Sequence, residues 1–248
     1  MRNQLIYDAP VRVFHWLLAG LFVTAFLIAK TVDDEAAAFS YHMLAGLLLT
    51  FTVVLRIVWG FIGTTHSRFS SFALQPRQLL EYFSGILSGD RRKWTGHNPA
   101  SSWAALAMFG FAIGLGVTGF LMASGSKETY EDLHEIFANG FLIVVLLHVA
   151  GVVLHGLRHK DGLALSMVDG KKSGVDAQRT LSRSHGWAAV GILVLIVGFA
   201  GYLGRNFDPS TRNLRLFGTV LQLGESESAE GHNQGEGTES EDSNSDDE

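Results

Sequence analysis

Five apolar segments, each close to the thickness of a bilayer core in length, constrain this chain more than any other feature. They run from Val11 to Ala29, His42 to Ile62, Trp103 to Ala123, His134 to Leu157 and Gly186 to Gly204. A hydrocarbon core of about 30 Å takes roughly 20 helical residues at about 1.5 Å each. Backbone groups in lipid must satisfy one another, so the fold class that follows is all-α and integral to the membrane. Only 17% of residues are charged, where soluble chains carry about 25%, and an ordinary soluble domain is excluded. No nucleic-acid partner is expected. His15 and Trp16 inside the first segment distinguish it from the apolar core of a secretion signal, and it is expected to be retained.

Loop charge predicts the orientation, because Lys and Arg stay on the cytoplasmic side. Thirteen Lys and Arg lie on the side of the N-terminus and of the connections after the second and fourth segments, against five on the other side. The N-terminus is therefore expected in the cytoplasm, and five crossings place the C-terminus outside, in the periplasm of a bacterium. The net charge of −5 comes from the last stretch: residues 225–248 hold ten Asp and Glu and no Lys or Arg, leaving 14 acids against 19 bases in the body. That stretch has no apolar periodicity and is expected to be disordered. The long connection from Gly63 to Ser102 predicts one amphipathic helix, Pro76 to Leu87, lying on the membrane surface.

The chain has no cysteine, which excludes disulfides, thiolate zinc sites, cysteine-held iron–sulfur clusters and Cys-x-x-Cys-His haem attachment. Ten histidines remain, and several sit inside the apolar segments, where ionisable groups are costly and mark function. His134 and His148 are 14 residues apart, a rise of about 21 Å and a rotation about 40° short of four turns. Both imidazoles leave one face of the fourth segment, near opposite leaflets. His42 starts the second segment at the depth of His134, and His15 lies at the inner depth of the first. Two cross-helix histidine pairs result, although His155, within about 20° of the same face as His148, is by depth an equal partner for His15. Two imidazoles facing across an apolar slot suit a six-coordinate haem iron, whereas zinc or copper would need three or four clustered ligands. Non-covalent b-type haem is the cofactor expected. Arg56, 14 residues after His42, shares its face at the inner depth, and its expected role is to neutralise a haem propionate, with snorkelling to headgroups as the alternative. Gly110, Gly114, Gly116 and Gly119 in the third segment allow either close helix packing or contact with a flat porphyrin.

Five stretches carry a resemblance to a known family: PVRVFHWLLA around His15, YHMLAGLLLTFTVVLRIVWGFIG around His42, the loop pieces RFSSF and GHNPAS, and LHEIFANGFLIVVLLHVAGVVLHGLRHKDGLALSMVDGK around His134 and His148. Over about residues 6 to 173 the chain resembles the prokaryotic cytochrome b561 family, which includes the cytochrome b subunits of nickel–iron hydrogenases. The resemblance implies a four-helix bundle with two b haems, one on His15 and His148, the other on His42 and His134. It also favours His148 over His155, leaving His155 beside the ligands, on the propionate or quinone side, with capping of the helix end as the alternative. The expected division is a di-haem domain over 1–173, a cytoplasmic linker over 174–185, a fifth transmembrane helix over 186–204 and an extracytoplasmic, acidic, disordered tail over 205–248.

Two haems with no open coordination position suit electron transfer rather than oxygen chemistry. The expected function is electron transfer across the bacterial inner membrane between quinone or quinol and an extracytoplasmic partner such as a c-type cytochrome, steered by the acidic tail. The alternatives are a cytochrome b subunit bound to a hydrogenase-like partner, a superoxide-oxidising quinone reductase and, from another class, a proton-coupled transporter.

Overall fold

A computed structural model describes residues 4–88, 98–159, 162–172 and 180–224. The acidic stretch 225–248 with His232, the first half of the proposed linker (174–179), His97 and Lys160 lie outside the described residues.

All five apolar segments are helical. Helix α1 (Ala9–Thr31) begins at an Asp8 cap whose carboxylate accepts from the Val11 amide at 2.8 Å, with proline in the first turn, where no amide is needed. A short 3₁₀ turn, Ala37–Phe39, leads into α2 (Ser40–Ile62). Helix α3 (Pro76–Ser88) matches the predicted amphipathic helix; its Leu80 and Phe83 are exposed, as a surface helix facing the lipid interface requires. Helix α4 (Pro99–Leu121) runs through a π turn at Met122–Ser126 into α5 (Lys127–His159). Gly125, at φ 103°, takes the left-handed conformation that reverses the chain there. The reversal is read from side chains: Gly114 lies against Phe137, Phe111 against Gly140, and Thr118 bonds to His134. A single α6 turn (Ser166–Asp169) precedes α7 (Gly186–Asn206), the fifth apolar helix.

Helices α1, α2, α4 and α5 form an antiparallel bundle, with Phe22 of α1 against Phe141 of α5, ring centres 4.8 Å apart. Buried threonines return their hydroxyls to the carbonyl one turn back, Thr52 to Leu48 and Thr118 to Gly114, so neither hydroxyl is stranded in the apolar interior. Helix α7 packs outside the bundle, its Ile192 and Ile196 on Phe14 of α1 and Leu48, Phe51 and Leu55 of α2. Large side chains remain exposed along the helices, among them Leu147, Leu157, Val194 and Val197. In water such patches would aggregate, whereas a bilayer is the apolar solvent that suits them.

Two small sheets mark the ends. At the Asp8 end, strand β1 (Gln4–Leu5) pairs antiparallel with β2 (Lys171–Lys172), tying the N-terminus to the chain beyond α5. At the Gly125 end, β3 (Phe207–Asp208), β4 (Asn213–Leu216) and β5 (Thr219–Gln222) form an antiparallel meander. This corrects the tail boundary at residue 205: α7 continues to Asn206, and residues 207–222 form strands whose leucines alternate inward. Leu214 and Leu221 are fully buried. Helix α5 likewise begins seven residues before the predicted His134, with its first polar turns beyond the apolar span.

Candidate functional site

At the Gly125 end, the bundle encloses a cavity of about 390 Å³ lined by all four helices, with His42 and His134 facing it. His42 lies in the first turn of α2, where its Nδ1 meets the Ala25 carbonyl of α1 at 2.8 Å. A carbonyl only accepts, so Nδ1 carries a proton, and in the neutral ring Nε2 keeps its lone pair. His134 reaches the same state through a hydroxyl. The Thr118 hydroxyl lies 2.8 Å from His134 Nδ1 and donates its one proton to the Gly114 carbonyl at 2.8 Å, so it must accept from the imidazole. In the neutral form of each ring Nε2 is then the nitrogen with the lone pair, while the other nitrogen holds the ring's orientation, the arrangement that metal-binding histidines use.

The two ring centres stand 6.4 Å apart, with planes at 74°. Two metal–nitrogen bonds of about 2 Å, plus about 1 Å from each nitrogen to its ring centre, require roughly 6 Å. The wall between them is cut back to backbone. Gly46, Gly116 and Gly119 line the cavity, and a Cβ on Gly46 would meet open space. The third-segment glycines therefore divide between the two expected roles. Gly114 lets Phe137 of α5 approach, Gly116 lets Thr50 of α2 approach and also borders the cavity, and Gly119 faces the His134 ring. Among the described residues no group of three His, Asp or Glu could hold an ion by itself. The donor set fits a planar macrocycle that brings its own four nitrogens.

At the Asp8 end, His15 of α1 is half-buried, and its Nδ1 is buried with no hydrogen-bond partner. His148 of α5 lies within electrostatic range of it. His155, two turns further along α5, is 7% exposed. Arg56 is not a snorkelling residue. Only 5% exposed, it donates from Nη2 to the Ser67 carbonyl at 3.1 Å and lies over the Phe69 and Phe109 rings at 5.8 and 5.6 Å, while its Nη1 is buried without a partner. Nearby, the fully buried Asp8 accepts from Thr64 Oγ1 at 2.7 Å and Trp59 Nε1 at 3.2 Å, joining the start of α1 to the end of α2.

Sequence reasoning missed Thr118, the Ala25 carbonyl and Asp8. An Asp two residues before a proline at the head of an apolar run was a readable cap signal. The other two depend on helix register, which spacing within one helix does not reveal.

A family model described as prokaryotic cytochrome b561 matches residues 6–170. Among curated proteins, the chain is 26% identical over 209 residues to a probable Ni/Fe-hydrogenase B-type cytochrome subunit of Rhizobium leguminosarum bv. viciae, covering 67% of this chain and 87% of that one. It is 29% identical over 172 residues to the probable Ni/Fe-hydrogenase 1 B-type cytochrome subunit of Escherichia coli K12, covering 60% and 70%. It is 30% identical over 212 residues to the corresponding protein of Azotobacter chroococcum mcd 1, covering 66% and 86%. No solved structure matches the chain.

Proposed function

Since the chain belongs to the prokaryotic cytochrome b561 family, we propose that it is the membrane cytochrome b subunit of a hydrogenase-like complex, passing electrons between that partner and quinone. It is a multi-pass bacterial membrane protein of electron transport, and its cofactor is haem b. The observation that carries the reading is the facing pair His42 and His134, each with Nδ1 engaged and its ring lining a glycine-walled cavity. The names of the relatives favour the hydrogenase partner, the second of the expected functions, over the c-type cytochrome. The latter rested on the acidic stretch 225–248 alone. No relative reported above is named for superoxide oxidation, and membership in a cytochrome family leaves the transporter reading without support.

In this reading His42 and His134 hold one haem and His15 and His148 a second, about 21 Å away along α5. Haem held by these histidines would supply reversible one-electron chemistry. The protein does the rest. Ala25 and Thr118 fix the imidazole tautomers, the apolar walls exclude water, and Arg56 offers its free Nη1 to a propionate at the Asp8 end. His155 lies beside that second pair, on the propionate or quinone side. Residues 1–173 form the di-haem domain, with the Asp8 end in the cytoplasm, and 174–185 link it to α7 as a fifth transmembrane helix.

Reduction of the haems by hydrogen, in membranes that contain the whole complex, tests the function. The reduced α-band is expected to appear on adding hydrogen and to vanish when this chain is deleted. Haems that reduced c-type cytochrome reduces and hydrogen never does would contradict the hydrogenase reading in favour of the first expectation.

A further inference from the structure

The segment after α7 contributes to the His42 and His134 cavity although it lies beyond residues 6–170. Leu221 in β5 and Leu223 just after it line that cavity and are 0% and 1% exposed. Behind them the sheet packs Leu214 and Leu216 with Ala123 and Leu203, against Met43, Leu44 and Leu47 at the head of α2. Two hydrogen bonds strap it in place. The Leu223 amide donates to the Arg212 carbonyl at 2.8 Å, and Arg212 Nη1 donates to the Glu35 carbonyl, in the connection between α1 and α2, at 2.6 Å. The cavity's border on α1 and α5 is of the opposite character, with exposed Lys30, Glu131, Glu135 and Asn139. Water thus has a polar approach along α1 and α5 and meets an apolar barrier across α2 and the Gly125 turn.

We infer that the β3–β5 sheet is a wall of the haem pocket at the Gly125 end, and that Leu221 and Leu223 raise that haem's midpoint potential by keeping water from it. The inference rests on His42 and His134 being ligands of one haem. Oxidised haem carries one more positive charge than reduced haem, and an apolar surround disfavours the charged form. Admitting water stabilises the oxidised form and lowers the potential. Leu221 and Leu223 are therefore positioning residues that act on the cofactor's electronics without ligating it.

The test is a redox titration of the haem α-band in full-length protein carrying Leu221→Ala and Leu223→Ala, after haem per chain has been measured. Both haems should remain and one midpoint should fall, that of the component which His42→Ala removes; Leu221→Met, which keeps the volume, should restore it. Two unmoved midpoints with full haem content overturn the inference. If the alanine protein loses a haem, Leu223→Val alone gives the reading: a lowered midpoint of the same component supports the wall and an unchanged one overturns it. The ligand reading fails separately, in protein without any leucine substitution, if His42→Ala leaves both haems in place.

Discussion

Two hydrogen bonds decide which nitrogen each histidine of the pair offers to a metal, and they make the least obvious residue of the site testable. Thr118→Val keeps the shape of the side chain and removes the acceptor of the His134 Nδ1 proton. Outer partners of metal-binding histidines are worth about 10- to 100-fold in affinity. One of the two haem components should therefore be lost preferentially on dilution in detergent, with Thr118→Ser retaining it; equal retention in all three proteins would contradict the tautomer assignment. Asp8 acts on stability instead. Asp8→Ala removes a helix cap and leaves the Trp59 and Thr64 donors without their acceptor, a cost of about 2 kcal/mol or more. The thermal unfolding midpoint of the purified protein should drop, and an unchanged midpoint would show that the network carries no load.

The helices of the bundle come together where side chains are smallest, so substitution there reads out the site. A Cβ on Gly116 already collides with Thr50, and a leucine would push α4 from α2 and fill the cavity. Gly116→Leu should abolish the haem of His42 and His134 and spare the other, by haem content and spectrum; loss of neither would place the pocket elsewhere. The helices themselves were legible because membrane spans announce themselves by length and apolarity, and the His134 and His148 spacing fixed a shared face by helix geometry alone. Cross-helix contacts were not legible: Thr118 meets His134, and Arg56 meets Phe69 and Phe109, through a register set by the Gly125 reversal and the folding back of the 63–72 connection. The C-terminal sheet was missed for another reason. Its signals are present, alternating leucines in Asn213–Leu216 and a turn at Phe217 and Gly218, both with positive φ. They stand directly before the run of acidic residues that begins at Glu225, whose composition dominates the segment as a whole.

For the whole molecule, the asymmetry of charged loops predicts direction: reporter fusions after Ser173 should read cytoplasm and fusions after Gly224 periplasm. The opposite pattern would invert the electron path, placing the Asp8 end with His15 and Arg56 outside and the sheet inside. Either orientation leaves the central claim intact, that two histidine pairs at opposite ends of one bundle hold two haems. Pyridine haemochromogen analysis of the purified full-length chain, beside its His42→Ala and His148→Ala variants, tests it most directly. The account predicts two b haems per chain and one in each variant, with different spectral components lost; one haem or none in the unaltered chain, or the same component lost in both variants, would contradict it.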